Sequence, residues 1–184
     1  MKARRWAPLL ALLWMAAAAA AEIDPAASHF GFLVTTRWGQ ELQGHFAEAR
    51  GEVGTLVDGR RQVRLRLATG SVEILGHPTY TRFARGRGFF NAERYPAIEF
   101  VSEPYSLQLL RDGGPLPGLL AIRGVQRREV FRIEPSACAL PARECDVVAS
   151  GSVRRGDFGL GRWGFALADE VRFSLRVRVR DDGA

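Results

Sequence analysis

Residues 171–180 read V-R-F-S-L-R-V-R-V-R, and this stretch decides the fold class. Its apolar and polar residues alternate without interruption, which is the pattern of a strand whose successive side chains point to opposite faces. A helix would instead distribute the four arginines around its circumference. The alternation therefore predicts a half-buried antiparallel strand, with Phe173 and Leu175 pointing inward and the arginines pointing outward.

The same alternation recurs upstream and predicts an all-β domain. Roughly eight strands, separated by turns rich in Gly, Pro and Asp, fit one sandwich or one up-and-down barrel. The exception is the segment from Pro78 to about Arg94, where alternation stops and a short helix or an irregular cap is predicted. An eight-stranded barrel is wide enough to hold one small ligand.

The apolar positions of these strands are the candidate ligand-binding residues. They either line a cavity or pack against one another in a filled core, and spacing alone does not distinguish the two. The set comprises Phe30, Phe32, Val34, Phe46, Leu65, Leu67, Ile98, Phe100, Leu120, Ile122, Phe131, Phe173 and Leu175.

The N-terminus has the pattern of a cleavable signal peptide, predicted over residues 1–21. Three of the first five residues are basic, an apolar run follows, and Ala19 and Ala21 fit a small-residue cleavage site. The run is shorter than the roughly 20 residues of a membrane-spanning helix. We therefore expect export to a soluble compartment and one mature domain over residues 22–184.

The charge balance argues against nucleic acid as a partner. The chain has 26 Lys and Arg and 20 Asp and Glu, for a formal net charge of +6. Loss of the three basic residues of the leader lowers this charge to +3 and removes the only lysine. The remaining arginines are interleaved with acidic residues at alternating positions, which is typical of a solvated outer face.

The two cysteines, Cys138 and Cys145, both lie in the exported part of the chain and flank a short proline-containing segment. An even count in an oxidising compartment favours a disulfide. No further metal ligand is present within the segment, and the spacing is wider than that of a C-x-x-C redox motif.

The apparent catalytic and metal-binding motifs in the sequence lack the surrounding pattern that such sites need, and we predict that the protein is not an enzyme. The match to G-x-G-x-x-G at residues 159–164 lacks the βαβ unit that a dinucleotide site needs. His29, His45 and His77 lack zinc-ligand spacing. Arg155 and Asp157 are the one pair of charged residues whose spacing suggests a specific role, and we interpret them as a structural ion pair or a turn anchor near the barrel mouth. The alternative is contact with a polar ligand headgroup.

Six segments, taken in order, resemble the YceI family and together span nearly the whole mature chain. They are D-P at 24–25 with F-G-F-L-V at 30–34; G-H-F at 44–46; G-F-F-N at 88–91 with Y-P-A-I-E-F-V-S at 95–102; G-L-L-A-I-R-G-V at 118–125; R-G-D-F-G at 155–159; and D-E-V at 169–171. Two features depart from the family pattern: the polar run at 126–131, where Glu129 could face inward, and the cysteine pair.

The resemblance implies an eight-stranded antiparallel lipocalin-like barrel with a short helical insertion. It implies a long-chain apolar lipid, a polyisoprenoid or an isoprenoid quinone, bound in the pore of a periplasmic carrier that needs no other cofactor. Transient contact with a membrane or a membrane redox protein would accompany carriage, and either a monomer or a homodimer fits. The alternative is a structural or stress-protective barrel with a filled core and no lipid cargo.

Overall fold

The computed structural model describes residues 20–180, which form one eleven-stranded sheet and two helices. Each strand that pairs in this sheet does so antiparallel to its neighbour. The strands are β1 (Ala20–Glu22), β2 (His29–Thr36), β3 (Glu41–Phe46), β4 (Ala49–Thr55), β5 (Arg61–Ala68), β6 (Val72–Ile74), β7 (Ala97–Ser102), β8 (Gly114–Ile122), β9 (Val125–Ile133), β10 (Val147–Arg154) and β11 (Leu167–Val177); the helices are α1 (Pro78–Arg85) and α2 (Gln108–Asp112).

The prediction of eight strands was wrong in number, because β1, β4 and β6 were missed. β4 continues the direction of β3 after a two-residue break, and β6 continues β5 after a 3-10 turn at Thr69–Ser71. Since β3 pairs with β6 and β4 pairs with β5, the four pieces make one long bent hairpin. β4 shows little alternation in its sequence, A-R-G-E-V-G-T, and β6 is only three residues long.

Ser71 holds the bend of this hairpin where the ladder is interrupted. Its hydroxyl accepts a hydrogen bond from the Glu48 N–H at 2.9 Å and donates one to the Ala68 carbonyl at 2.8 Å. The side chain thus replaces backbone pairing that the 3-10 turn removes. With the two bent strands each counted once and the three-residue β1 left out, eight strands follow one another around the sheet, and β11 pairs back onto β2. The pairings therefore close the sheet into a barrel of the lipocalin-like class.

The strand predicted at residues 171–180 is shifted toward the N-terminus and runs from Leu167 to Val177 as β11. Phe173 and Leu175 are buried, and Arg172 and Arg176 are exposed, as the alternation predicts. Arg178 lies beyond the strand and is half-buried. Its guanidinium contacts the Asp146 carboxylate at 2.7 Å, so this side chain turns toward a partner rather than into solvent.

The segment after Pro78 contains the predicted short helix, α1, with its proline at the start of the first turn. The second helix, α2, was not predicted, because five residues are too few to show a helical period. No helix among residues 20–180 is long and apolar enough to cross a bilayer. The predicted signal peptide lies outside the described residues except for its last two, Ala20 and Ala21, which begin β1.

The predicted disulfide is present. Cys138 and Cys145 are bonded, with their Cα atoms 6.2 Å apart, inside the usual range for a disulfide. The closed loop is anchored to the end of the chain: its Ala142 carbonyl accepts the Val179 N–H at 2.9 Å, and its Arg143 carbonyl accepts a hydrogen bond from the Arg178 guanidinium at 3.1 Å. The disulfide loop therefore has a fixed place at one end of the barrel.

Candidate functional site

An apolar cavity of about 110 Å³ lies inside one end of the barrel. This is the end at which β5 begins and β11 finishes, and the N-terminal segment, α2 and the disulfide loop surround it. The wall is almost entirely aliphatic and aromatic. Ile23 and Val179, which form a bridge between the N- and C-terminal segments, complete it together with Val53 of β4. We call this end the mouth.

The structure divides the predicted inward residues between two parts of the barrel. All are buried except Phe32, which is half-buried and packs against the core. Those that line the cavity are Leu65, Leu67, Ile98, Phe100, Leu120, Phe131, Phe173 and Leu175. Those that line only a second, smaller void of about 40 Å³ at the opposite end are Phe32, Val34, Phe46 and Ile122. Phe30 is 2 % exposed and lies in the core without lining either space.

A cluster of phenylalanine rings fills the barrel between these two spaces. The ring centroid of Phe32 lies 5.4 Å from that of Phe46 and 6.4 Å from that of Phe173, and Phe173 lies 6.1 Å from Phe131. Phe90 packs edge-on against Phe46 at 5.9 Å. Such pairs contribute about 0.5–1.5 kcal/mol each beyond the area they bury. The interior is therefore partly a packed core and partly a lined cavity, and both alternatives drawn from the sequence describe a part of it.

Glycines in the barrel wall make room for the inward rings. Phe32 lies over Gly44 and Phe131 over Gly151, and a Cβ added at either glycine would collide with the ring. At Gly118 an added Cβ would meet the Phe100 ring at 2.5 Å and the Val101 carbonyl oxygen at 2.6 Å. The absence of a side chain thus lets each ring lie flat against the wall instead of projecting into the cavity.

Two polar side chains face the cavity at its mouth. Arg61 shares the inward side of β5 with Val63 and Leu65, and Tyr105 lies opposite it. Tyr105 is 7 % exposed, and burial raises the pKa of its phenol to about 12, although the nearby Arg61 charge acts in the other direction. The phenol is therefore protonated throughout the neutral range and available as a donor.

Arg155 lies at the end of the barrel away from the mouth and is 2 % exposed. Its guanidinium donates to the backbone carbonyls of Leu160, Leu167 and Ala168. Burial lowers its pKa, and Asp169 opposes that effect. No Arg155–Asp157 ion pair forms among the described residues, because Asp157 is exposed. A headgroup contact by these two residues stays a prediction.

Glu129 does not reach the cavity. It is half-buried and lines a surface groove beside Ser152 and Asp157, where β9 and β10 are paired over only two residues. Burial, followed by repulsion from Asp157, raises the pKa of its carboxyl group. The polar run of β9 therefore lies beside the short pairing of β9 with β10, and Glu129 does not add a charge to the apolar cavity wall.

Metal-binding geometry does not occur among residues 20–180, where no three His, Cys, Asp or Glu side chains come together. His29 and His45, distant in sequence, stack in space with ring centroids 5.9 Å apart. His77 instead stacks on Tyr80 at 5.0 Å.

Sequence reasoning missed the polar residues of the mouth. Arg61 has a detectable signal, because extending the alternation of Val63, Leu65 and Leu67 by one step places it on the inward face. Tyr105 has none, since it lies outside the regular strands and meets Arg61 through an isolated bridge.

The fold and the interior cavity define a lipocalin-like barrel with a pocket open at one end. The chain belongs to the YceI-like domain family, whose model matches residues 22–179. None of the curated proteins compared with the chain matches it significantly.

Solved structures share this fold at low sequence identity. BcnA of Burkholderia cenocepacia is 19 % identical, with a TM-score of 0.68 over 84 % of this chain and 98 % of that one. A polyisoprenoid binding domain from Saccharophagus degradans, implicated in plant cell wall breakdown, is 14 % identical, with a TM-score of 0.63 over 89 % and 100 %. The YceI protein of Campylobacter jejuni is 18 % identical, with a TM-score of 0.60 over 76 % and 85 %.

Proposed function

We propose that this protein is a non-catalytic, exported lipid-binding barrel that holds the apolar chain of a polyisoprenoid or an isoprenoid quinone and carries it through the periplasm. The observation that carries the proposal is the cavity, whose almost entirely apolar wall offers a hydrocarbon chain a matching surface. Family membership and the fold shared with a polyisoprenoid binding domain support the same ligand class.

The energetic basis is the removal of apolar surface from water. Each Å² of chain surface buried in the cavity contributes about 25 cal/mol. Binding of this kind depends on shape and exclusion of water, with few polar contacts to orient the ligand.

The volume of the cavity limits how much of the ligand can lie inside the barrel. At about 110 Å³ the cavity is smaller than an engineered apolar cavity of about 150 Å³ that binds benzene. It therefore holds only a segment of a long chain in its present form. The rest of the ligand extends through the mouth or enters the barrel after the phenylalanine cluster shifts.

The proposed carrier role requires export and a route to a membrane. The N-terminal signal pattern supports periplasmic delivery, and transient contact with a membrane or a membrane redox protein would load or unload the lipid. The second candidate function is a structural or stress-protective barrel without cargo. The packed phenylalanine cluster favours it, because that half of the barrel is already filled.

Filling the cavity from its wall separates the two candidate functions. Leu175 is buried and lines the cavity, and we expect Leu175→Trp to occupy ligand space. Affinity for a fluorescent polyene probe should fall at least tenfold while the melting temperature stays near that of the wild type. Leu119→Trp is the matched control, since Leu119 is exposed on β8 and the same change there should alter neither quantity.

A tight core would respond differently. If the interior tolerates no added volume, Leu175→Trp overpacks it and costs roughly 1–3 kcal/mol of unfolding free energy. Destabilisation of that size in a protein that binds no apolar probe would favour the filled barrel and overturn the lipid-binding proposal.

A further inference from the structure

The mouth of the cavity carries a cross-strand pair of polar residues, Arg61 and Tyr105. Each donates its backbone N–H to the other's carbonyl oxygen at 2.8 Å, which is the pattern of two directly opposed residues in an antiparallel bridge. Directly opposed residues point to the same face, and here both line the cavity. The polar ends of both side chains therefore belong to one site.

This pair has donors but no acceptor of its own. Among residues 20–180, no carboxylate lies within 4 Å of the Arg61 guanidinium, whereas Arg64 and Arg66 on the outer side of the same strand pair with Glu52 and Glu99. The Tyr105 hydroxyl likewise forms no hydrogen bond with a described residue; the residue as a whole is 7 % exposed, and its hydroxyl oxygen keeps part of that exposure at the mouth. A hydroxyl and a guanidinium that lack protein partners beside an apolar wall both favour a ligand that supplies oxygen acceptors.

We propose that Arg61 and Tyr105 form a headgroup subsite and that the ligand is an amphiphile, an apolar chain ending in a carboxylate or a phosphate. The inference rests on the lipid-binding function proposed above and adds the charge of the ligand to it. The chain occupies the cavity, and the anionic oxygens lie at the mouth between the guanidinium and the phenol.

The chemistry of the two side chains explains the preference for an anion over a neutral head. A guanidinium presents several N–H donors in a planar fork that matches carboxylate and phosphate oxygens, and hydrogen bonds to charged oxygens are about twice as strong as neutral ones. The surrounding wall is apolar, so water competes poorly for these donors. Arg143, on the disulfide loop at the same mouth, adds a further positive charge without an ion pair among the described residues.

Farnesyl phosphate and farnesol test the inference, because they share one chain and differ only in the head. Their affinities for the full mature protein should be measured by calorimetry, with inorganic phosphate alone as a third ligand. We expect farnesyl phosphate to bind at least tenfold more tightly than farnesol. Inorganic phosphate should bind far more weakly than either, because it buries no chain.

Four variants test whether the preference belongs to the subsite. Arg61→Gln should remove most of the phosphate preference, measured as the ratio of farnesyl phosphate affinity to farnesol affinity, and Tyr105→Phe should reduce this ratio several-fold. Arg64→Gln, on the outward face of the same strand, is the matched control and should retain it. Arg61→Lys keeps the charge, so partial retention of the preference would support the assignment even if the glutamine variant folded poorly.

The possible failures are distinguishable. Equal affinity for the two farnesyl ligands would overturn the headgroup subsite and leave lipid binding intact. Binding of neither would overturn the proposed function and this inference together. If inorganic phosphate displaced farnesyl phosphate at equal concentration, the pair would be a free-anion site unrelated to a lipid, which also overturns the inference.

Discussion

Arg155 is the one fully buried cation among residues 20–180, and it supports the backbone where strand pairing fails. The β2–β11 ladder changes register between Leu167 and Val171, so the carbonyls near the start of β11 lack regular partners. The Arg155 guanidinium donates to two of them, those of Leu167 and Ala168, and to a carbonyl of the adjoining loop. The burial of this residue is therefore explained by hydrogen bonding at a bulge.

Removal of the Arg155 guanidinium should destabilise the fold. Arg155→Met retains much of the apolar volume but removes the donors of three carbonyls that are buried or half-buried, and we expect a loss of about 2–4 kcal/mol in unfolding free energy. Arg154→Met is the control on the exposed neighbouring residue and should change stability by about 0.5 kcal/mol or less. Urea denaturation measures both, and equal midpoints for the two variants would contradict the role assigned to Arg155.

At the scale of the strands, glycines on one strand make room for phenylalanine rings of a neighbouring strand. The Phe100 ring on β7 lies over Gly118, its diagonal neighbour on β8, and leaves no room for a methyl group there. The Val101 carbonyl cannot recede without disturbing the β7–β8 ladder, so an added carbon at Gly118 would displace the ring. The position of the ring, flat on the wall, keeps the cavity open.

Gly118→Ala should therefore both strain the wall and narrow the cavity. We expect a loss of roughly 1–3 kcal/mol in unfolding free energy, because the added carbon overpacks the contact with Phe100. Probe affinity should fall as the ring moves inward. Gly54→Ala in β4 has no heavy atom within 4 Å of the added carbon and should leave stability and binding unchanged. Wild-type thermal unfolding of the Gly118 variant would show that the wall accommodates the methyl group.

The elements also show why some of the fold was predictable. β2, β5 and β11 alternate clearly, so their inward residues could be assigned from the sequence. β4 and β6 could not be assigned, because β4 contains glycine and charge in place of apolar residues and β6 is three residues long. Their order in the sheet depends on the bend at Ser71, a tertiary feature that local patterning does not encode.

At the scale of the whole molecule, the two ends of the barrel differ in packing and in chemistry. The end near Arg155 is filled by phenylalanine and closed by 3-10 turns at Arg155–Phe158 and Gly161–Trp163. The other end holds the cavity, the Arg61–Tyr105 pair and the disulfide loop. The alternation in the sequence correctly predicted that the interior of the barrel is apolar. It did not predict this division, because ring packing and the pairing of Tyr105 with Arg61 arise only when distant strands meet.

The most direct test of the account is to recover the ligand from the native protein. The protein should be purified from exporting cells without detergent, extracted into organic solvent and analysed by quantitative mass spectrometry beside the Leu175→Trp variant. We predict one long-chain lipid at close to one molecule per protein chain, with much less from the variant. A wild-type extract with no lipid, or with no more than the variant yields, would contradict the claim that the cavity binds a lipid.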